Sequence, residues 1–176
     1  MEFEYQIKES DYLDFQLYTV SKSPRFFKKQ NNGRYFLAIC SLITASYFLY
    51  SKNMGMLAYF GLTTVVFLLF YPKYYKWRQK VHYIKFIRRN YRNLFDKSEV
   101  MEVKGKQILL KNYTGEGTIN SADLDKISET KNHFFIQLKS GASLIIPKTE
   151  LTDTSIFKKE IKKLGLPYEV DLEWVW

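Results

Sequence analysis

The sequence is poor in the residues that most enzyme and metal sites need. Its 176 residues include one cysteine, Cys40, and two histidines, His82 and His133. A single cysteine excludes an internal disulfide framework and a multi-cysteine metal site, and neither histidine has a partner at metal-ligand spacing. We interpret His133 as an ordinary strand residue. We predict no catalytic, cofactor-binding or metal-binding residues, and we do not expect an enzyme.

Carboxylates do not supply the missing chemistry. The carboxylates considered as an acid and base are Asp123, Asp125 and Glu129, with Glu150 and Asp153. Their pattern favours solvated surface charge over a matched acid and base. We therefore predict that all five belong to the surface.

Acidic residues are absent from the middle of the chain. Between Phe15 and Phe95 there is no Asp or Glu against fourteen Lys and Arg, whereas the remaining segments carry thirteen basic and eighteen acidic residues. Such asymmetry indicates a polyanionic partner, either membrane headgroups or nucleic acid. Aromatic residues among the basic ones would also suit stacking on nucleic-acid bases, which stays an alternative. Because the basic residues flank apolar runs, we favour anionic lipid headgroups and expect no nucleic acid.

Two uncharged apolar runs, residues 35–50 and 55–71, lie inside this acid-free stretch. At about 1.5 Å per residue each makes a helix near 25 Å, close to a hydrocarbon core of ~30 Å once the aromatic ends are counted. We predict a transmembrane helical hairpin over residues 35–72. A buried helical pair in a soluble core is disfavoured because both runs are apolar nearly all round. A hairpin that enters the membrane without crossing it is a further alternative.

Small residues predict how the two helices pack. They are Ala38, Ser41 and Ala45 in the first run, and Ala58 and Gly61 in the second. Small side chains permit close helix approach in lipid, so these positions predict a packing seam. Pro72, after the second run, is expected to kink or end that helix.

Basic residues near the runs predict their orientation. Residues 22–34 hold five Lys and Arg and residues 73–92 hold eight, whereas the loop between the runs holds only Lys52. The positive-inside rule then places both flanks in the cytoplasm. We predict a multi-pass protein of the cell membrane with both termini cytoplasmic.

Residues 73–97 predict a basic juxtamembrane helix. Apolar residues recur at spacings of three and four: Trp77, Val81, Ile84, Ile87, Tyr91 and Leu94. The basic residues predicted to face anionic lipid are Lys73, Lys76, Lys80, Lys85, Arg88, Arg89 and Arg92. Each basic residue contributes about 1 kcal/mol of attraction to an anionic membrane surface. Basic residues that only set the membrane topology would give the same sequence pattern.

The two ends of the chain have strand-like patterns. Residues 1–34 predict a cytoplasmic strand over Glu2–Lys8 and a short helix, and residues 98–176 predict antiparallel strands followed by a C-terminal helix. The clearest predicted hairpin joins His133–Lys139 to Ala142–Pro147. Tyr168–Trp176 alternates like a further strand, and the N-terminal strand is its hypothetical partner.

Three motifs together resemble those of a known family. They are Y-x-I-x-E-x-D-Y-L-x-F (Tyr5–Phe15), D-L-x-K-I-x-E-T (Asp123–Thr130) and S-L-I-I-P-K (Ser143–Lys148). In this order, around two apolar runs, they resemble the YcxB-like family of small bacterial membrane proteins. The family usually has an aromatic residue shortly before the second motif, where this chain has Asn120-Ser121-Ala122.

The resemblance implies an α+β membrane protein whose C-terminal domain is similar to bacterial pleckstrin-homology-like (PH-like) domains. Such a domain is a bent antiparallel sheet capped by a C-terminal helix, here over residues 98–176. We expect it to bind a protein, peptide or lipid partner at the membrane surface. Alternatively, the chain is an immunity or protection factor against a membrane-active peptide. Two spans are also compatible with a homo-oligomer.

Overall fold

The chain forms an α+β structure in a computed structural model that describes residues 2–95, 97–112 and 115–176, which confirms the α+β part of the predicted class. Residues 1, 96, 113 and 114 belong to the predicted segments and lie outside this description. The described residues form helices α1 (Glu9–Ser21), α2 (Pro24–Tyr50), α3 (Met54–Asn90) and α4 (Thr154–Lys162). Their strands are β1 (Glu2–Gln6), β2 (Ser98–Lys104), β3 (Gln107–Asn112), β4 (Gly115–Asn120), β5 (Leu124–Thr130), β6 (His133–Leu138), β7 (Ser143–Pro147) and β8 (Tyr168–Asp171).

The chain divides into two units that differ from the segments expected from the sequence. The β unit comprises Met1–Tyr18 and Lys85–Trp176, and the helical unit comprises Thr19–Ile84. The N-terminal strand and most of α1 therefore belong to the same unit as the C-terminal strands. Short-range patterns along the sequence carry no signal of this association.

The first sheet of the β unit has the order β1-β2-β3-β4, and all its pairs are antiparallel. Phe3 on β1 lies opposite Met101 on β2, although helices α1 to α3 separate the two strands in sequence. Phe3 and Tyr5 are buried while Glu2 and Glu4 are exposed, as the predicted period of two requires. The predicted strand at the N-terminus is confirmed.

The second sheet has the order β7-β6-β5-β8. The predicted hairpin between β6 and β7 is confirmed, with antiparallel pairing from His133–Pro147 to Gln137–Ser143. Strand β8 runs parallel to β5, so the hypothesis that the tail pairs with the N-terminal strand is wrong. Gly165, with φ +70°, follows α4, and the carbonyl of Pro167 accepts a 2.9 Å hydrogen bond from Ile127 N. This hydrogen bond places the chain beside the edge of β5, directly before β8 begins.

Helix α4 closes the core of the β unit. Asp153 accepts hydrogen bonds of 2.8 and 3.1 Å from the Ser155 and Ile156 amides and so caps the start of the helix. The buried Phe157 ring lies 4.9 Å from the Phe3 ring and 5.1 Å from the Phe134 ring. One helical side chain thus contacts both sheets.

The helical unit contains α2 packed against α3. Ala38, Ser41 and Ala45 are buried, so the predicted seam on the first helix is confirmed. The seam on the second helix differs. Thr64 is buried there, whereas Ala58 is exposed and a Cβ built on Gly61 would meet nothing within 4 Å. Ser41 donates a 2.9 Å hydrogen bond to the Phe60 carbonyl, and Thr64 lies one turn further along α3 at i, i+4 from Phe60.

Helix α3 continues through Pro72 rather than ending there. The Pro72 carbonyl accepts a 3.1 Å hydrogen bond from Gln30 Nε2 on α2. Among the described helices, α3 is the one long and apolar enough to cross a membrane, and 6% of its most apolar window is buried. The uncharged run of α2 has 16 residues and ends at Tyr50. Any stretch of 18 residues of α2 that contains this run therefore includes the charged Arg34.

Gly33→Ala is expected to destabilise the helical unit. A Cβ at Gly33 would overlap the Tyr71 hydroxyl oxygen and lie 2.9 Å from the ring carbon that bears it, so the ring must move. Overpacking of this kind costs roughly 1–3 kcal/mol. The control is Gly61→Ala, which adds the same methyl group to open space and improves helix propensity. Thermal unfolding in detergent should show a lower midpoint for the Gly33 variant alone; equal midpoints would contradict the contact.

Candidate functional site

The basic residues predicted to face lipid lie along α3 and the turn that follows it. All are exposed except Lys76, which is half-buried: Lys73, Lys76, Lys80, Lys85, Arg88, Arg89 and Arg92. Lys73, Lys76 and Lys80 belong to the helical unit and share one helix face at i, i+3, i+7. The other four belong to the β unit, so the seven residues do not form one described cluster.

Arg88 already has a partner in the β unit. Its Nε lies 2.8 Å from Glu9 Oε1, and the side chains of Arg88 and Glu9 are 66% and 34% exposed. An exposed pair of this kind is worth about 0–1 kcal/mol, so it occupies the guanidinium without adding much stability. The sequence offered no signal for this pair because its members are far apart along the chain.

The predicted apolar face of the basic helix is only partly confirmed. Ile87 is fully buried in the β unit, but Trp77 is 61% exposed. The Trp77 ring lies 6.0 Å from that of Tyr74, which is 51% exposed. Trp77 therefore follows the spacing of core residues without being one of them.

Glu129 lies at the centre of a buried ionic cluster that the sequence prediction missed. Its Oε1 lies 2.7 Å from Lys148 Nζ, and its Oε2 lies 2.6 Å from both Lys158 Nζ and the Tyr168 hydroxyl. The Glu129 side chain is 6% exposed, so its assignment to the surface is wrong. Strand β5 lies between β6 and β8, and the residues Ile127–Thr130 are all buried, which removes the alternation that marks a surface position.

The protonation of this cluster favours a structural role. Burial alone would raise the pKa of Glu129, but hydrogen bonds from Lys148, Lys158 and Tyr168 outweigh it and lower the pKa to about 2. Burial and the bond to Glu129 raise the pKa of Tyr168. A permanently ionised carboxylate with three donors cannot exchange protons near neutral pH. The cluster joins β5 to α4, β8 and the end of β7.

Asp11 and His133 form a second buried pair in the β unit. His133 Nε2 lies 2.9 Å from Asp11 Oδ1, and His133 Nδ1 lies 4.0 Å from Asp14 Oδ2. Burial acts to raise the pKa of Asp11, but hydrogen bonds from His133 and from the Lys8 amide lower it overall. His133 is 4% exposed and its ring stacks on that of Phe135. The pair joins α1 to β6.

Metal ligands do not come together in the parts of the chain described. Within residues 2–95, 97–112 and 115–176, no three His, Cys, Asp or Glu side chains form a group that could hold a metal ion. The prediction that the chain is not an enzyme stays a prediction.

The buried residues of β5 and β7 coincide with a recognised family segment. The family model for YcxB-like protein matches residues 105–157. The predicted resemblance is confirmed for this segment. The YcxB-like segment runs from the β2–β3 turn into α4 and contains both Glu129 and Lys148. No match is found among curated proteins or among solved structures.

The contacts give two YcxB-like motifs a physical role. In D-L-x-K-I-x-E-T, Glu129 binds Lys148, the last residue of S-L-I-I-P-K. Thr130, also in the first motif, accepts a 3.1 Å hydrogen bond from the His133 amide through its hydroxyl. The motifs therefore help to hold the second sheet together.

Proposed function

We propose that the chain is a multi-pass membrane protein in which α2 and α3 form a transmembrane hairpin. The observation that carries this proposal is the apolar outer surface of the helical unit. Large side chains there are more than 60% exposed: Phe36, Ile43, Tyr47, Leu62 and Leu69. Soluble proteins rarely expose apolar patches beyond a few hundred Å², and each Å² costs about 25 cal/mol in water. Hydrocarbon is the solvent that removes this cost.

The charge pattern supports one orientation of the hairpin. No acidic residue occurs in the helical unit, and its basic residues flank the two apolar runs, with Lys52 alone between them. Exposed Tyr74 and Trp77 follow the second run by a few residues, as aromatic residues at membrane interfaces do. The proposal places both termini, and with them the β unit, in the cytoplasm.

We further propose that the β unit is PH-like and binds a protein, peptide or lipid partner at the membrane surface. Four antiparallel strands, three further antiparallel strands and a closing helix support this comparison. Fold alone does not give a function, so the partner remains a proposal. Anionic lipid is the partner that best suits the exposed basic residues on α3, among them Lys80, Lys85 and Arg89.

Single-cysteine labelling tests the membrane proposal. The chain has one cysteine, so Cys40→Ser gives a cysteine-free background. Asn53→Cys lies between α2 and α3, and Lys139→Cys lies after β6. In intact spheroplasts a membrane-impermeant maleimide should label the first variant and not the second, while lysed membranes should give labelling of both.

Alkaline carbonate extraction completes this test. A transmembrane hairpin should stay in the membrane pellet at high pH. Release of the chain into the supernatant would refute the anchor, and labelling of Lys139→Cys in intact spheroplasts would refute the orientation. Both measurements are independent of any ligand.

A further inference from the structure

We propose that a cavity in the helical unit binds the phosphate of an anionic phospholipid headgroup. The cavity has a volume of about 190 Å³. It is lined by Val20, Ser23, Arg25, Phe26, Lys29, Tyr75, Gln79 and Tyr83. All of these belong to the helical unit, and none is among the basic residues of α3 discussed above. This inference rests on the proposed membrane anchor.

Two facing rows of side chains build the cavity. Arg25 and Lys29 are four residues apart on α2, and Tyr75, Gln79 and Tyr83 follow at the same interval on α3. Residues four apart share a helix face, so each row points one way by helix geometry. The buried ring of Phe26 lies 5.3 Å from that of Tyr75 and supports the base of the cavity.

The chemistry of the lining fits an anion with several oxygen acceptors. Arg25 and Lys29 are exposed cations, and Gln79 and the two tyrosines add neutral donors. Ser23 precedes α2 and makes no side-chain capping bond. Residues 19–84 contain no Asp or Glu, so the helical unit cannot neutralise these cations itself. A guanidinium and an ammonium beside hydroxyl and amide donors are the groups that bind phosphate.

The membrane-proximal end of the cavity lies near the depth of a headgroup. Tyr75 is four residues beyond the end of the second apolar run, and Lys29 is six residues before the first, which corresponds to about 6 and 9 Å of helix. The polar headgroup layer adds roughly 5–8 Å on each side of the hydrocarbon core. Long side chains such as Arg25 and Lys29 can reach into this layer.

The test counts lipid bound to the full-length chain. The purified protein in neutral detergent is titrated with short-chain phosphatidylglycerol or phosphatidylcholine, and adducts are counted by native mass spectrometry. We expect one preferred phosphatidylglycerol. The double variant Arg25→Gln/Lys29→Gln should bind it roughly tenfold more weakly, and Gln79→Leu, which changes no charge, should lose several-fold through one missing hydrogen bond.

A matched variant separates a site from diffuse attraction. Lys73→Gln/Lys80→Gln removes the same charge from the helical unit outside the cavity and should weaken binding less than threefold. Equal losses in both double variants, or no preference for phosphatidylglycerol, would overturn the site. Displacement of the lipid by millimolar inorganic phosphate would assign the cavity to a soluble phosphate instead. If the chain stays in the membrane pellet after carbonate extraction but shows no preferred lipid binding, the proposed phosphate site is refuted and the membrane anchor is not. If carbonate releases the chain, the membrane anchor itself is refuted.

Discussion

A fragment of residues 98–176 is expected not to fold by itself, whereas residues 1–18 joined to 85–176 by a Gly/Ser linker are expected to fold. Strand β1 forms an edge of the first sheet and pairs with β2 over all five of its residues. The fragment without β1 lacks that pairing and exposes the inner face of β2, including Met101. The segments predicted from the sequence begin the C-terminal domain at residue 98, whereas the β unit of the structure also includes residues 1–18 and 85–97. The two fragments distinguish these alternatives.

The expected loss is comparable to the stability of a whole domain. Phe3, Tyr5, Ile7 and Tyr18 are each at most 8% exposed, and all four belong to the core of the β unit. Full burial of such a side chain contributes about 1.5–3 kcal/mol, so removing the four withdraws roughly 6–12 kcal/mol. The free energy of unfolding of a small domain is about 5–15 kcal/mol. The shorter fragment therefore has little or no net stability.

Circular dichroism and urea unfolding of the two fragments measure this difference. In the joined fragment, Phe3→Ser with Tyr5→Ser should unfold at markedly lower urea, because both side chains point into the core. The matched control Glu2→Ser with Glu4→Ser changes the exposed face of the same strand and should have little effect. A cooperative transition in the fragment of residues 98–176 would contradict the role of β1.

Local periodicity explains which predictions were confirmed. Alternation in Glu2–Gln6 comes from side chains next to each other in the pleat, and the β6–β7 hairpin is marked by the two-residue turn Ser140-Gly141, so the sequence itself contains both signals. The seam on α2 was found for the same reason, since Ala38, Ser41 and Ala45 repeat with the helix. These patterns need no knowledge of the partner element.

Long-range pairing explains the predictions that failed. Glu129 was assigned to the surface because nothing near it in sequence shows that Lys148, Lys158 and Tyr168 converge on it. Likewise, β8 could have joined any free sheet edge, and only the turn after α4 directs it to β5. The motif I-x-E-T did hold a usable signal, because a carboxylate within a run of buried strand residues needs a cation nearby.

Glu129→Gln is expected to be one of the most destabilising single substitutions in the β unit. It removes the charge that balances Lys148 and Lys158, whose side chains are 16% and 36% exposed. Removing one member of a buried ion pair costs about 3–5 kcal/mol, and the partial exposure of the lysines reduces this to roughly 2–4 kcal/mol. The control is Glu116→Gln, which breaks the exposed pair with Lys111 and should change stability by less than about 1 kcal/mol.

The same residue predicts how stability depends on pH. The pKa of Glu129 falls from 4.5 to about 2 on folding, so its contribution is complete above pH 4.5 and is lost as the pH falls towards 2. A shift of this size corresponds to about 3 kcal/mol.

The free energy of unfolding can be followed in the Trp77→Phe background, where Trp174, which packs against Tyr18, reports on the β unit. The difference in this free energy between the chain with Glu129 and its Glu129→Gln variant should be large at pH 6. It should shrink as the pH falls to about 2, where half of the folded glutamate is protonated, and approach zero below that pH, where the glutamate is as neutral as the amide. A difference that stays constant over this range would show that Glu129 acts through packing and not through its charge.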